Sequence, residues 1–298
     1  MRILVLGSGA GGGFPQWNCL CPVCRLAWSG DKRVKARSQS SLAISVAGER
    51  WLLLNASPDL RQQILAAPYL HPRGAKRQSP IAAVFLTNAD VDHLAGLLTL
   101  RESQPFTLYG SRATLAQTQL GVFGVLNKQF VERHEAALDQ TIETDIGLSI
   151  KPFAVPGKVA LYLEEEYVAV GEETESTVGL EISNGKASFF YVPGCSEINQ
   201  ALLERVSGAS LLFFDGTTFT DGEMVDLGLS HKTAQRMGHV AMSGEEGSLN
   251  RFAKSGISRK IFIHINNTNP VLIEDSSERQ KAAEAGWEIA YDGMEVLL

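Results

Sequence analysis

Two clusters of side chains in this chain have the types and spacing that chemistry at a metal ion requires. The first is Thr87-Asn88-Ala89-Asp90-Val91-Asp92-His93-Leu94-Ala95-Gly96, where Asp92 and His93 set a hard carboxylate oxygen beside an imidazole nitrogen. The second is Cys19-Leu20-Cys21-Pro22-Val23-Cys24, a C-x-C-x-x-C run whose thiolates can reach one tetrahedral zinc with a single further ligand from elsewhere. Thiolate-rich zinc of that kind is a closed structural staple rather than a catalyst. Cys195 stands alone and reads as an ordinary small buried side chain. Asp92 also has a plainer role open to it, as cap of a helix beginning near Leu94, with His93 merely packed.

The strands that must position these residues shift the balance. Ile81 to Leu86 is an apolar run of strand length, so the Asp92 cluster emerges at the end of a buried strand. Ile261-Phe262-Ile263-His264 is another, ending at Asn266-Asn267. If the two strands lie in facing sheets, Asp92, His93 and His264 meet as two imidazoles and a carboxylate with positions left open. That face is associated with non-haem iron(II) oxygenases. The same set suits zinc or manganese and a hydrolase that activates water. The residues do not choose the metal.

Around these points the pattern predicts the rest of the fold. Ile3 to Leu6 is a first strand, followed by a loop from Gly7 to Gly13 that formally satisfies G-x-G-x-x-G. Gly13-Phe14-Pro15 and the cysteines follow in place of an apolar helix, and no Lys-Ser or Lys-Thr closes a phosphate loop. The glycines therefore read as a close-packed turn, not a nucleotide site. Lys32 to Arg37 reads as a solvated basic run, and Ser41–Val46 with Trp51–Leu54 as a hairpin around Gly48-Glu49.

Helices are predicted over Leu60–Ala66, Leu94–Arg101, Arg112–Gln119 behind a Ser111 cap, and Phe123–Glu135 with an exposed His134. From Ile146 to Glu181 short alternating strands are expected, with acidic tips at Glu164-Glu165-Glu166 and Glu172-Glu173. Further buried strands are Ala187–Val192 and Leu211–Phe214, with helices over Asn199–Val206 and Glu245–Ser255. This order predicts an α+β chain folded as one domain over residues 1–298. Two sheets lie back to back with helices outside, a four-layer αββα sandwich.

Composition bounds the partners. The 298 residues are 44% hydrophobic and 20% charged, as in a soluble globular protein, and the net charge of −6 argues against a general nucleic-acid binder. No apolar run approaches the ~20 residues of a membrane span. Met1-Arg2 followed only by Ile3 to Leu6 lacks the core of a signal peptide, and the clustered cysteines do not resemble a secreted disulfide framework. The expected residence is cytoplasmic, with thiols reduced.

Thr87-Asn88-Ala89-Asp90-Val91-Asp92-His93 resembles the metallo-β-lactamase superfamily motif T-H-x-H-x-D-H with its first two histidines replaced. The glycine-rich start, the cysteine run, Phe214-Asp215-Gly216-Thr217, Gly238-His239, the stretch from Phe262 to Pro270 and Asp292-Gly293-Met294 fall in register with it. Together they resemble the branch of the superfamily that serves synthesis of the redox cofactor pyrroloquinoline quinone (PQQ), essentially from Met1 to Leu298. In the broader superfamily a further histidine is expected where Pro156-Gly157 stand, and a bridging acid where Gly194-Cys195 follow Tyr191-Val192. A water-bridged mechanism with two metals thereby loses most ligands of one ion, while Asp92, His93 and His264 remain.

The resemblance also assigns supporting roles. The fourth zinc ligand would come three residues after His264, at Asn267, a weaker ligand than histidine. His239 matches a position that relatives use as an acid or base beside the metal. His231 is a second candidate for that role or a surface-helix residue, and Asp215 either orients a ligand histidine or caps a turn. The activity implied is iron(II)- and dioxygen-dependent hydroxylation of the tyrosine ring in a cross-linked Glu-Tyr precursor of PQQ. Asp92, His93 and His264 would hold iron, while Asp90, Asn88 and His239 position substrate or move protons. Two alternatives stay open: a carrier that assists transport of PQQ or its precursor towards the periplasm, with other proteins of the pathway as partners, and a mononuclear zinc hydrolase.

Overall fold

Runs of Val, Ile, Leu and Phe too short for helices become the two central sheets of the computed structural model, which describes residues 1–298 except Leu120 and Tyr167. The part of the predicted Ile146–Glu181 meander at Tyr167 thus lies outside the described residues. β1 (Arg2–Gly7), β2 (Ser41–Ser45), β3 (Trp51–Leu54), β4 (Ile81–Phe85), β5 (Phe106–Gly110) and β6 (Val131–Glu135) build most of the first sheet. β7 (Ile142–Glu143), β8 (Ser149–Gly157), β9 (Glu172–Ser183), β10 (Ser188–Val192), β11 (Leu212–Asp215), β12 (Lys260–Ile263) and β13 (Trp287–Ile289) build the second. β14 (Glu295–Leu297) returns to the first sheet beside β1.

The strand orders are β14-β1-β2-β3-β4-β5-β6 and β13-β12-β11-β10-β9-β8-β7. Each sheet is antiparallel along one side and parallel along the other: β3 to β6 run parallel, as do β10 to β13. Parallel neighbours require crossovers, and helices on the outer faces supply them. Alternation sorts the side chains into three apolar layers. Ile3 and Val5 face the opposite sheet, whereas Leu4 and Leu6 face outward with Leu60, Leu97 and Leu115. Phe213 likewise joins the layer between the sheets, while Leu212 and Phe214 pack outward with Val23, Leu202 and Ala282. A slip of one residue would exchange these layers, and each large side chain taken fully from water contributes roughly 1.5–3 kcal/mol. The predicted αββα sandwich is the architecture observed.

The glycine-rich segment is a close-packed turn. Gly9 bridges to both Gln39 and Ile265, and a Cβ on Gly7 would fall 2.1 Å from the Gln39 carbonyl oxygen. The Asp292 carboxylate accepts the backbone N–H and the hydroxyl of both Ser8 and Ser38, which anchors the turn.

Several local expectations give way to tertiary contacts. Phe123–Glu135 is not a helix: a 3-10 turn covers Gly121–Val125, and Val131–Glu135 is the edge strand beside β5, with Val131 turned inward. Pairing with an exposed sheet edge overrides helical propensity there. The predicted Leu94–Arg101 helix starts earlier, as one α-turn over Val91–Leu94, and continues as a 3-10 helix over Ala95–Leu100. Asp92 therefore lies inside the first turn, Asp90 occupies the cap position, and the capping role for Asp92 disappears. Glu245–Ser255 is helical only over Ser248–Arg251, because Gly244 and Gly247 first turn the chain tightly against Ser243.

Arg37 does not belong to a solvated run; it is buried and donates to the Ala290 carbonyl at 2.9 Å. Glu164 is no exposed tip but the one anion of a four-residue ion-pair cluster with Lys158, Lys232 and Arg236, and Glu172 opens β9 rather than a turn. His231 is exposed and precedes the helix Ala234–Met237 instead of lying on one. Among the described residues, no helix is long and apolar enough to cross a membrane.

Candidate metal centre

The loop after β4 is held from its first residue. Asn55, at the end of β3 with φ +61, accepts the Thr87 N–H at 2.9 Å and donates to the Thr87 hydroxyl at 3.0 Å. The Asn88 Oδ1 accepts the backbone N–H of Asp90 at 3.0 Å. An N–H can only donate, so this atom is the amide oxygen, and His93 must give it the Nδ1–H at 2.6 Å. A neutral imidazole so arranged carries its lone pair on Nε2. That nitrogen is buried and has no hydrogen-bond partner among the described residues.

β12 delivers His264 in the left-handed region, φ +59, a strained conformation for a side chain with a Cβ. The Thr217 hydroxyl donates to Asp215 Oδ1 at 2.6 Å and accepts the Nδ1–H of His264 at 2.9 Å. His264 Nε2 is then the free nitrogen, and it faces Asp92 Oδ2 at 3.0 Å, with His93 Nε2 3.8 Å from the same oxygen. The donor atoms of Asp92, His93 and His264 lie within 4.8 Å of one another. Lone pairs converging at such range repel unless a proton or a cation lies between them.

The electrostatics agree. Burial holds the His93 imidazole below its usual value, against the pull of Asp92. Burial acts the same way on His264, but its hydrogen bond to Asp92 outweighs that and raises it. Asp92 would be raised by burial, yet the adjacent imidazoles, His93 at its side and His264 through a hydrogen bond, keep it well below the usual carboxylate range. An anionic oxygen, a neutral imidazole and a second imidazole whose proton a cation would replace make a donor set that fits a divalent ion.

Behind His264 stands His239, its ring stacked at 5.1 Å between centroids. It donates Nδ1–H to Asp215 Oδ2 at 2.7 Å and lines a cleft of about 460 Å³ with Ser196, Asp221 and Gln235. Asp215 is saturated: Oδ2 also accepts from Cys195 N–H, and Oδ1 also accepts from Thr217 N–H. It therefore orients His239 directly and His264 through Thr217. Thr217 was not singled out as a functional residue from sequence; the signal was an Asp-Gly-Thr turn closing a buried strand. The Asp90 carboxylate has no hydrogen bond among the described residues, whereas Asn88 is turned to His93 rather than to the cleft.

Where a further histidine and a bridging acid are expected, Pro156-Gly157 and Gly194-Cys195 stand, and the buried Cys195 thiol donates to the Glu197 carbonyl at 2.8 Å. A Cβ on Gly194 would stand 3.6 Å from the His239 ring.

The second cluster is built differently. Cys21 caps the helix Pro22–Trp28, its sulfur accepting the Cys24 N–H, and Cys19 sulfur accepts the Cys21 N–H. The Asn267 side-chain Nδ2 donates towards the sulfurs of Cys19, Cys21 and Cys24 at 3.2, 3.8 and 3.3 Å, and its backbone carbonyl lies 3.6 and 3.8 Å from those of Cys21 and Cys24. Burial raises the Cys24 thiol and pushes Cys21 up to about 12, so these sulfurs become thiolates only with a cation among them.

A family model described as a beta-lactamase superfamily domain matches residues 50–265. Coenzyme PQQ synthesis protein B of Methylorubrum extorquens (strain PA1) is 54% identical over 295 residues, 99% of each chain. The same-named protein of Xanthomonas oryzae pv. oryzae is 49% identical over 300 residues, 100% of each. The crystal structure of Zn²⁺-bound PqqB from Methylobacterium extorquens matches with a TM-score of 0.98 at 54% identity, covering 100% of both chains.

Proposed function

This chain belongs to the coenzyme PQQ synthesis protein B family of the beta-lactamase superfamily, and on that premise we propose that it hydroxylates the tyrosine ring of the cross-linked Glu-Tyr precursor of PQQ. Its role lies in PQQ synthesis and its chemistry depends on a divalent metal. The observation that carries the finer reading is the donor set Asp92, His93 and His264, with Asn88 and Asp90 standing where two ligand histidines are expected, while Asp215, already saturated by hydrogen bonds, and His239 share His264 from behind. Iron(II) bound there would bring dioxygen chemistry within reach, with an external reductant supplying the electrons that turn the second oxygen atom into water.

The remaining residues hold and move protons. Asn88 and Thr217 fix the tautomers of His93 and His264, so that both Nε2 atoms point to one place. His239, held through Nδ1 by Asp215, offers Nε2 to a substrate proton at the cleft, and the free carboxylate of Asp90 orients the ring hydroxyl. Cys19, Cys21 and Cys24 would hold zinc, with Asn267 beside them, and such an ion would staple the first helix to the end of β12.

The test is anaerobic reconstitution with iron(II), followed by precursor and dioxygen, with mass analysis of the product. A gain of one oxygen atom that needs iron and Asp92 supports the reading. No hydroxylated product, or zinc working equally well, rejects it. Tight PQQ binding without turnover, surviving Asp92→Ala, would point to a carrier, and cleavage of ester or phosphodiester substrates to a hydrolase.

A further inference from the structure

At the rim of the metal centre three cations converge on one carboxylate. Lys158 Nζ stands 2.9 Å from Glu164 Oε1, while Lys232 Nζ and Arg236 Nη2 stand 3.0 and 3.7 Å from Oε2. Glu164 and Lys158 are each 11% exposed, whereas Lys232 and Arg236 are 36% and 40% exposed. The lysines hold the Glu164 carboxyl below its usual value even though burial opposes them. One of the Arg236 nitrogens, Nη1, is buried without a hydrogen-bond partner among the described residues. Glu165 and Glu166 beside the cluster are exposed.

The cluster is tied to the catalytic loops from three sides. Tyr162, in the 3-10 turn just before Glu164, donates its hydroxyl to the Ala89 carbonyl at 3.1 Å. The Lys158 carbonyl accepts from the Thr177 hydroxyl at 3.1 Å, and Thr177 bridges to Asn88. Gly238, next to His239, packs so closely on the Lys158 stem that a Cβ would lie 3.1 Å from its Cγ.

As a staple this arrangement is wasteful. The partly exposed pairs from Lys232 and Arg236 contribute little, and cations drawn to one anion repel one another. As a receptor it is apt, because an Arg fork beside two ammonium groups is suited to carboxylates. We propose that Lys158, Lys232 and Arg236 form a carboxylate subsite for the substrate, with Glu164 as the resident placeholder that an incoming carboxylate displaces from Lys232 and Arg236. This rests on the reading that the substrate is an amino-acid-derived precursor of PQQ. The exchange swaps one carboxylate for another, so no buried cation is stranded.

The test uses the full-length zinc-loaded protein and two probes, PQQ, a polycarboxylate, and its methyl ester. Binding is followed by calorimetry in wild type, Glu164→Gln and Lys232→Gln/Arg236→Gln, with thermal unfolding as a check that each variant folds. Glu164→Gln should bind PQQ about tenfold tighter and the double variant about tenfold weaker, with affinity falling as salt rises. The ester should bind weakly in all three. Equal PQQ affinity across the variants, ester binding as tight as acid binding, or no PQQ binding by wild type and Glu164→Gln would each overturn the subsite. Because the readout is binding, a failure of hydroxylation with this pattern intact counts against the oxygenase reading and leaves the subsite standing.

Discussion

His264 and Asn267 leave the same strand, β12, and end in two clusters of opposite character. Cys19, Cys21 and Cys24 come from one short stretch, are all buried, and close on Asn267 with backbone N–H groups already given to two of the sulfurs. Asp92, His93 and His264 come from strand ends in different sheets, and Asp92 remains 15% exposed. Each imidazole of the second cluster is aimed by a separate residue, Asn88 or Thr217. A site that only holds an ion needs local geometry and burial. A site that also exchanges ligands needs an exposed flank and outside supports for every donor.

The comparison breaks most visibly where the closed site is opened. Cys24→Ala should cost on the order of 5 kcal/mol of unfolding free energy, or prevent folding, measured by denaturant titration with and without chelator. Asp92→Ala should do the reverse: hydroxylation falls about a thousandfold while the unfolding midpoint in the same titration barely moves. A large loss of stability in Asp92→Ala would erase the distinction between the two clusters.

Smaller changes sharpen it. Thr217→Val and Asn88→Ala free the imidazole tautomers and should weaken metal binding at the triad about 10–100-fold, with the cysteine zinc retained, as read by competition with a chelating dye. Asn267→His supplies a stronger fourth ligand and should slow zinc loss to a chelator about tenfold without altering the triad. The smallest effect is on acid stability. The Glu164 pKa is depressed in the fold, so its contribution is present above the unfolded value of about 4.3 and is lost as pH falls through the folded value. Glu164→Gln should remove less than about 1 kcal/mol of that dependence, seen as a flatter stability profile below pH about 4.5.

The sandwich was legible because β4, β10, β11 and β12 are continuous apolar runs, and because Asp92, His93 and His264 fall just beyond the ends of two of them. The segment 123–135 was not, since an edge strand with one inward residue, Val131, carries almost no period to read. The aim of Asn88 was hidden for another reason. Its oxygen accepts from the backbone N–H of Asp90 and from His93 Nδ1, and such hydrogen bonds exist only once the loop has folded. Arg37 and Glu164 looked solvated because long charged side chains reach partners remote in sequence, Ala290 and Lys232.

Metal analysis of anaerobically purified wild type beside His264→Ala puts the central claim at stake. About one equivalent of a redox-active metal should be present in wild type and absent from the variant, while the zinc on the cysteines stays in both. Equal content of that metal in the two proteins would mean that Asp92, His93 and His264 do not jointly hold it.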